Sequence, residues 1–183
     1  MKQIVLGITG AFMLFVVIAL TAPLAIAQSQ SEQLSDEQRA RIITNCTSMK
    51  NTLTQLKASD ALLRVNRGKA YESLRLRLMD TFNSRLSSNS LDAEGMVSVT
   101  KSYDSTLSDF RTAYLVYERQ LTVTMRVDCS KDPDAFHAAI LESRTKRAAV
   151  HAKVLELHSR IDDYKTVVND FYEDFKRVSG SDA

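Results

Sequence analysis

Phe136 to Val178 reads FHAAILESRTKRAAVHAKVLELHSRIDDYKTVVNDFYEDFKRV, and one stripe of it recurs every three to four residues. One register holds Phe136, Ser143, Val150, Leu157, Tyr164, Phe171 and Val178; the interleaved one holds Ile140, Arg147, Val154, Ile161, Val168 and Phe175. Eleven of these thirteen positions are apolar or aromatic. A seam repeating every 3.5 residues over this length is what an α-helix needs to pack lengthwise against other helices. Asp132 and Pro133 supply its start, since the Asp can cap and a first-turn Pro gives up no bond. Asp134 adds a negative charge at the positive end of the helix dipole. Gly180 stands where a left-handed cap would end the helix.

The same period extends upstream. Ser35-Asp36-Glu37-Gln38 matches a capping box, and the seam behind it runs Ile42, Cys46, Met49, Leu53, Leu56, Asp60, Leu63, Arg67, Ala70, Leu74, then stretches to Leu78, Phe82 and Leu86. Ser87-Ser88-Asn89-Ser90 ends this first helix. Gly68 costs about 1 kcal/mol relative to Ala inside it, so a kink is expected at Asn66-Arg67-Gly68. A second helix carries Met96, Val99, Tyr103, Leu107, Phe110, Tyr114, Tyr117, Leu121 and Met125. The β-branched run around Val123 is too short to outweigh that period. The expected fold is therefore all-α: an antiparallel, coiled-coil-like three-helix bundle, up-down-up, with helices at about 36–88, 92–128 and 133–178 and a disordered tail at 179–183. In periodicity it resembles spectrin-like three-helix bundles, a likeness of architecture that implies no function.

The N-terminus reads as an export signal. Lys2 is followed by an apolar run from Ile4 to Ala22, then Pro23 and the small-residue site Ala25-Ile26-Ala27, so cleavage is expected after Ala27. The alternative is an uncleaved anchor, because the run approaches the roughly 20 residues of a membrane span. Either way the remainder, a polar tether at 28–34 and the bundle, is expected outside the cytoplasm: secreted, periplasmic or at the cell surface.

In such a compartment Cys46 and Cys129, the only cysteines, are expected to form a disulfide. Counting from a turn near Ser90 brings the two to similar heights on antiparallel helices, so disulfide and heptads ask for the same topology. Past residue 27 the chain has 23 Lys and Arg against 22 Asp and Glu, which gives no reason to expect a nucleic-acid partner. Asn45-Cys46-Thr47 fits a glycosylation pattern, but it falls in a helix beside a bonded cysteine.

Four polar residues, Asp60, Arg67, Ser143 and Arg147, interrupt the apolar seams. Asp60 is expected to pair with one arginine and fix register. Counting residues places Arg67, Ala113 and Arg147 at one height, with Asp60 one to two turns away. The sharper reading is an anion-binding notch lined by Arg64, Arg67, Arg144 and Arg147. His137, His151 and His158 share a flanking stripe; neighbours seven apart are separated by about 10.5 Å, too far for one metal ion. Nor does the sequence contain a nucleophile turn or a convergent acid and base, so no catalytic residue, cofactor or small-molecule substrate is identified. Tyr114 and Tyr117 are expected in the core. The third helix should outrun the second, leaving Phe171, Tyr172, Phe175 and Val178 as a contact surface.

The expectation is an exported, non-enzymatic bundle working as an envelope-associated scaffold, adaptor or assembly component, through another protein or self-association. The alternative is a periplasmic-type chaperone or binding module for an unfolded or anionic partner.

Overall fold

The computed structural model describes residues 34–180, so the signal or anchor at the N-terminus lies outside the described residues. All secondary structure described is helical: α1 (Asp36–Ser73), a π-helical segment (Leu74–Met79), α2 (Asp80–Ser88), α3 (Glu94–Arg126) and α4 (Pro133–Ser179). The first three follow one another without a break and form one rod, so three long helices pack together.

The helix ends follow the local chemistry of the sequence. Ser35 Oγ accepts from the Gln38 N–H at 3.2 Å while Gln38 Oε1 accepts from the Ser35 N–H at 2.7 Å, completing the capping box. Asp132 caps α4 by accepting from the Ala135 N–H at 2.9 Å, with Pro133 at the first position. At the far end Gly180 adopts φ 66°, the left-handed conformation that favours glycine. α3 starts two residues later than the spacing predicted, at Glu94, whose N–H is held by Asp92 Oδ1.

Side-chain pairs set the direction of the rods. Going back along the first rod from Asn83 to Tyr71 to Asp60 to Cys46, the partners on α3 and just beyond it advance from Thr100 to Tyr103 to Tyr117 to Cys129. α3 therefore runs back along the first rod. α4 returns again, with Thr124 against Ser143 near its start and Thr106 against Glu156 further on.

Gly68, where a kink is expected, lies within the unbroken run of α1. Helical regularity changes instead at the π segment, where the Asp80 N–H bonds to Arg75 O and Thr81 Oγ1 to Leu76 O, both five residues back. The Tyr103 hydroxyl donates to the Tyr71 carbonyl at 3.0 Å at the threshold of this segment. The extra residue shifts the phase of the seam. Met79, not Leu78, enters the core, and Leu78 is left exposed.

The core is divided along the bundle. Near the turn between α2 and α3 it is built from Tyr71, Met79, Leu86, Met96, Tyr103, Leu107, Phe110, Val154, Leu157 and Tyr164. A polar relay crosses it: Tyr164 donates to Asn83 at 2.8 Å, and Asn83 donates to Thr100 at 2.9 Å. Every buried polar group in that relay is thereby satisfied. At the opposite end Leu34, Ile42 and Phe136 surround the Cys46–Cys129 disulfide, whose Cα atoms are 5.6 Å apart. Between the two ends only a small cluster of Tyr114, Tyr117 and Leu121 remains, and α1 comes less close to α4 than α3 does.

Candidate functional site: the groove between α1 and α4

α1 buries only Ile42, Cys46, Asp60 and Tyr71 along its 38 residues, so between its anchored ends it stands off from α4. The gap is a groove floored by α3. Its larger part, about 510 Å³, has Phe110, Tyr114 and Tyr117 as floor, Leu63, Arg64 and Arg67 on the α1 wall, and Arg144, Arg147 and His151 on the α4 wall. A smaller part, about 290 Å³, continues toward the disulfide past Leu53, Leu56, Leu121 and Ile140. Both parts share Tyr117, Arg144 and Arg147.

A strut crosses this groove. Arg147 Nε and Nη2 donate to Asp60 Oδ2 and Oδ1 at 3.0 Å each, and the Tyr117 hydroxyl donates to Oδ2 at 2.7 Å. The fork matches the carboxylate, which is the geometry that makes Arg–carboxylate pairs strong. Asp60 has only 9% of its side chain exposed, whereas Arg147 has 54% and lies across the opening. The hydrogen bond to Asp60 holds the Arg147 guanidinium above its ordinary pKa. Burial, then the bond to Asp60, pushes the Tyr117 hydroxyl far up.

The sequence-predicted ion pair is thus present, and its arginine is Arg147. Residue counting had placed Arg67, Ala113 and Arg147 at one height. The structure instead levels Asp60, Tyr117 and Arg147, and Arg67 lies two turns further along α1 and exposed. The π segment inserts one residue, about 1.5 Å of rise, and so accounts for only a small part of this offset of two turns; the rest comes from how the turns seat α3 against α1 and α4. Ser143 is buried and satisfied by Thr124 at 2.8 Å.

The four arginines of the expected notch all line the larger part of the groove. Arg147 is neutralised by Asp60, the only carboxylate among the lining residues; Arg64, Arg67 and Arg144 form no ion pair among the described residues. Arg64 lies with its guanidinium carbon 4.8 Å from the centre of the Tyr114 ring, a cation–π contact. Its Nε is buried and has no hydrogen-bond partner among the described residues. Arg160 Nε shares that condition, but Arg160 spends its other nitrogens on Asp163 and Glu156.

Tyr114 and Tyr117 are buried as expected, but their part in the groove was missed. The signal was tyrosine rather than phenylalanine at seam positions, since a buried hydroxyl requires a partner. Among the histidines, His151 lines the groove, and His158 Nε2 is 3.1 Å from the Tyr71 hydroxyl.

The expected contact surface is set apart from the groove. Phe171 is partly buried against the core and stacks with Phe175, while Tyr172, Phe175 and Val178 are exposed, Val178 by 86%. Among the described residues no helix is long and apolar enough to cross a membrane. No protein-family model, no curated protein and no solved structure matches this chain.

Proposed function

We propose that this is an exported, non-enzymatic helical bundle that works by contact outside the cytoplasm, as a scaffold, adaptor or assembly component. The export reading rests on the signal-like N-terminus, and the disulfide fits an oxidising compartment. The observation that carries the contact reading is the end of α4, where Tyr172, Phe175 and Val178 stand exposed over its last two turns. Apolar side chains repeated every three residues on an exposed helix end are a form that helix docking takes. A second copy or one partner helix would cover them.

The test is sedimentation together with crosslinking of the protein in its own compartment, for wild type and a Tyr172→Ser/Phe175→Ser variant. The reading expects either a concentration-dependent dimer or one stoichiometric crosslinked partner, lost in the variant. A monomer without a crosslinked partner in both forms ends it.

A second reading is favoured by the groove. Three arginines without carboxylate partners among the described residues, set over an aromatic floor, support a binding module for an anionic partner.

A further inference from the structure

We propose that the larger part of the α1–α4 groove binds a single-chain amphiphile with one anionic headgroup, the head held by Arg64, Arg67 and Arg144 and the body lying on Phe110, Tyr114 and Tyr117. This deepens the second reading above and is independent of the α4 end.

Four observations lead to the ligand class. The first is size: about 510 Å³ lies within the range of small-molecule sites. The second is the division between wall and floor. Phe110 and the two tyrosines offer an apolar floor that Leu63, Val150 and Val154 extend up the walls, and the arginines stand on those same walls. A ligand complementary to both must itself have an apolar body and a negative head.

The third is the Arg64 guanidinium. It is oriented by the Tyr114 ring, and no carboxylate competes for it among the described residues. Its Nε is shut off from solvent, so a carboxylate, sulfate or phosphate oxygen at this wall would take a charge-assisted bond from the terminal nitrogens.

The fourth is the Asp60–Arg147–Tyr117 strut. It bridges α1 and α4 across the groove between its two parts. A partner helix, roughly 10 to 12 Å wide with its side chains, would have to break the strut to lie along the groove. A slim chain fits on one side of it. Guests as short as one alkyl chain therefore suit the site better than an acidic helix does.

The test is calorimetric titration of the full chain with laurate below its micelle-forming concentration. Comparison probes are acetate for the head alone, lauryl maltoside for the tail without charge, poly-glutamate for a polyanion, and vesicles of anionic phospholipid. Wild type should bind laurate one to one, with acetate and lauryl maltoside each at least tenfold weaker. Arg64→Gln and Arg144→Gln should each weaken laurate binding about tenfold, the loss of one charge-assisted hydrogen bond. Arg119→Gln, exposed and outside the groove, should leave it unchanged. Ala148→Trp, which fills the groove without altering a charge, should abolish it. All four variants are compared by helical circular dichroism and thermal melting, so that lost binding is read only on folded protein.

The proposal is overturned if laurate does not bind, if lauryl maltoside or acetate binds as tightly as laurate, if the two arginine variants bind like wild type, or if only vesicles are bound. Poly-glutamate binding that depends on Arg64 and Arg144, without laurate binding, would keep the anionic-partner reading and remove the amphiphile.

Discussion

Replacing Arg147 by Leu should destabilise the protein by about 2 kcal/mol, and replacing Asp60 as well should cost clearly less than the sum of the two single losses. Asp60 is the buried member of the strut and accepts three hydrogen bonds, two of them from Arg147. In Arg147→Leu the carboxylate keeps only the Tyr117 hydroxyl while remaining desolvated. Stranding one partner of a fully buried pair costs about 3 to 5 kcal/mol. Arg147 is half exposed, so water can reach the vacated position and the figure is discounted to about 2. Asp60→Leu frees Arg147 into solvent but leaves the Tyr117 hydroxyl unpaired, a cost of about 1 to 2 kcal/mol. In the double variant no charge is stranded and two leucines add to an apolar groove, so the losses should fail to add by at least about 1 kcal/mol. The assay is guanidinium denaturation followed by circular dichroism, with the disulfide intact in all four proteins. Additive single losses, or an Arg147→Leu loss below about 0.5 kcal/mol, would refute the assignment of the pair as the central tie between α1 and α4.

Other consequences can be measured on the same protein. Reducing the Cys46–Cys129 bond, which spans 83 positions, should lower stability by roughly 4.5 kcal/mol on the chain-entropy account, read as a fall in denaturant midpoint with reductant; a fall under about 1 kcal/mol would mean that the reduced, unfolded chain still holds these ends together. Gly68→Ala should stabilise by about 1 kcal/mol, because the added methyl meets nothing within 4 Å in a continuous helix, and a destabilised variant would count against that helix. Burial pushes the Tyr103 and Tyr164 hydroxyls up to about 12 from an ordinary 10, so the fold favours their protonated forms. Their contribution is full below pH 10 and is lost as pH rises toward 12, so the denaturant midpoint should fall across that window and fall less steeply in Tyr103→Phe.

The helices were legible because their signals are local. Ser35 and Gln38, Asp132 and Pro133, and Gly180 act within a turn of themselves, and the seam from Phe136 to Phe171 follows a period that only a helix gives. Cys46 and Cys129 could be matched because they are the only two cysteines, so the pairing did not hang on a count that runs 44 residues one way from Ser90 and 39 the other. The strut was legible as a pairing and not as a partner. Its arginine depends on rise summed along the rods and on how two turns seat them, and the extra residue within Leu74–Met79 carries no marker, since alternating Leu and Arg occur equally in regular helices. For the same reason Leu78 was placed in the core and Met79 was not. The groove was half visible: the arginines could be grouped by flank and height, but their distance from the Tyr114 and Tyr117 rings depends on how far α1 stands from α4, a property of packing that no single stretch of residues encodes.

α1 is fastened near both ends, by sulfur at Cys46 and by Tyr71 in the packed end, and between them Asp60 makes its one hydrogen-bonded tie to α4 among the described residues, while Lys57 and Arg64 reach only α3. A rod pinned in this way bends outward like a bowstring when its midpoint is released, while its ends stay put. A guest would then enter from the side, and hydrogen exchange should be fastest from Leu53 to Arg67, without loosening either end of the bundle.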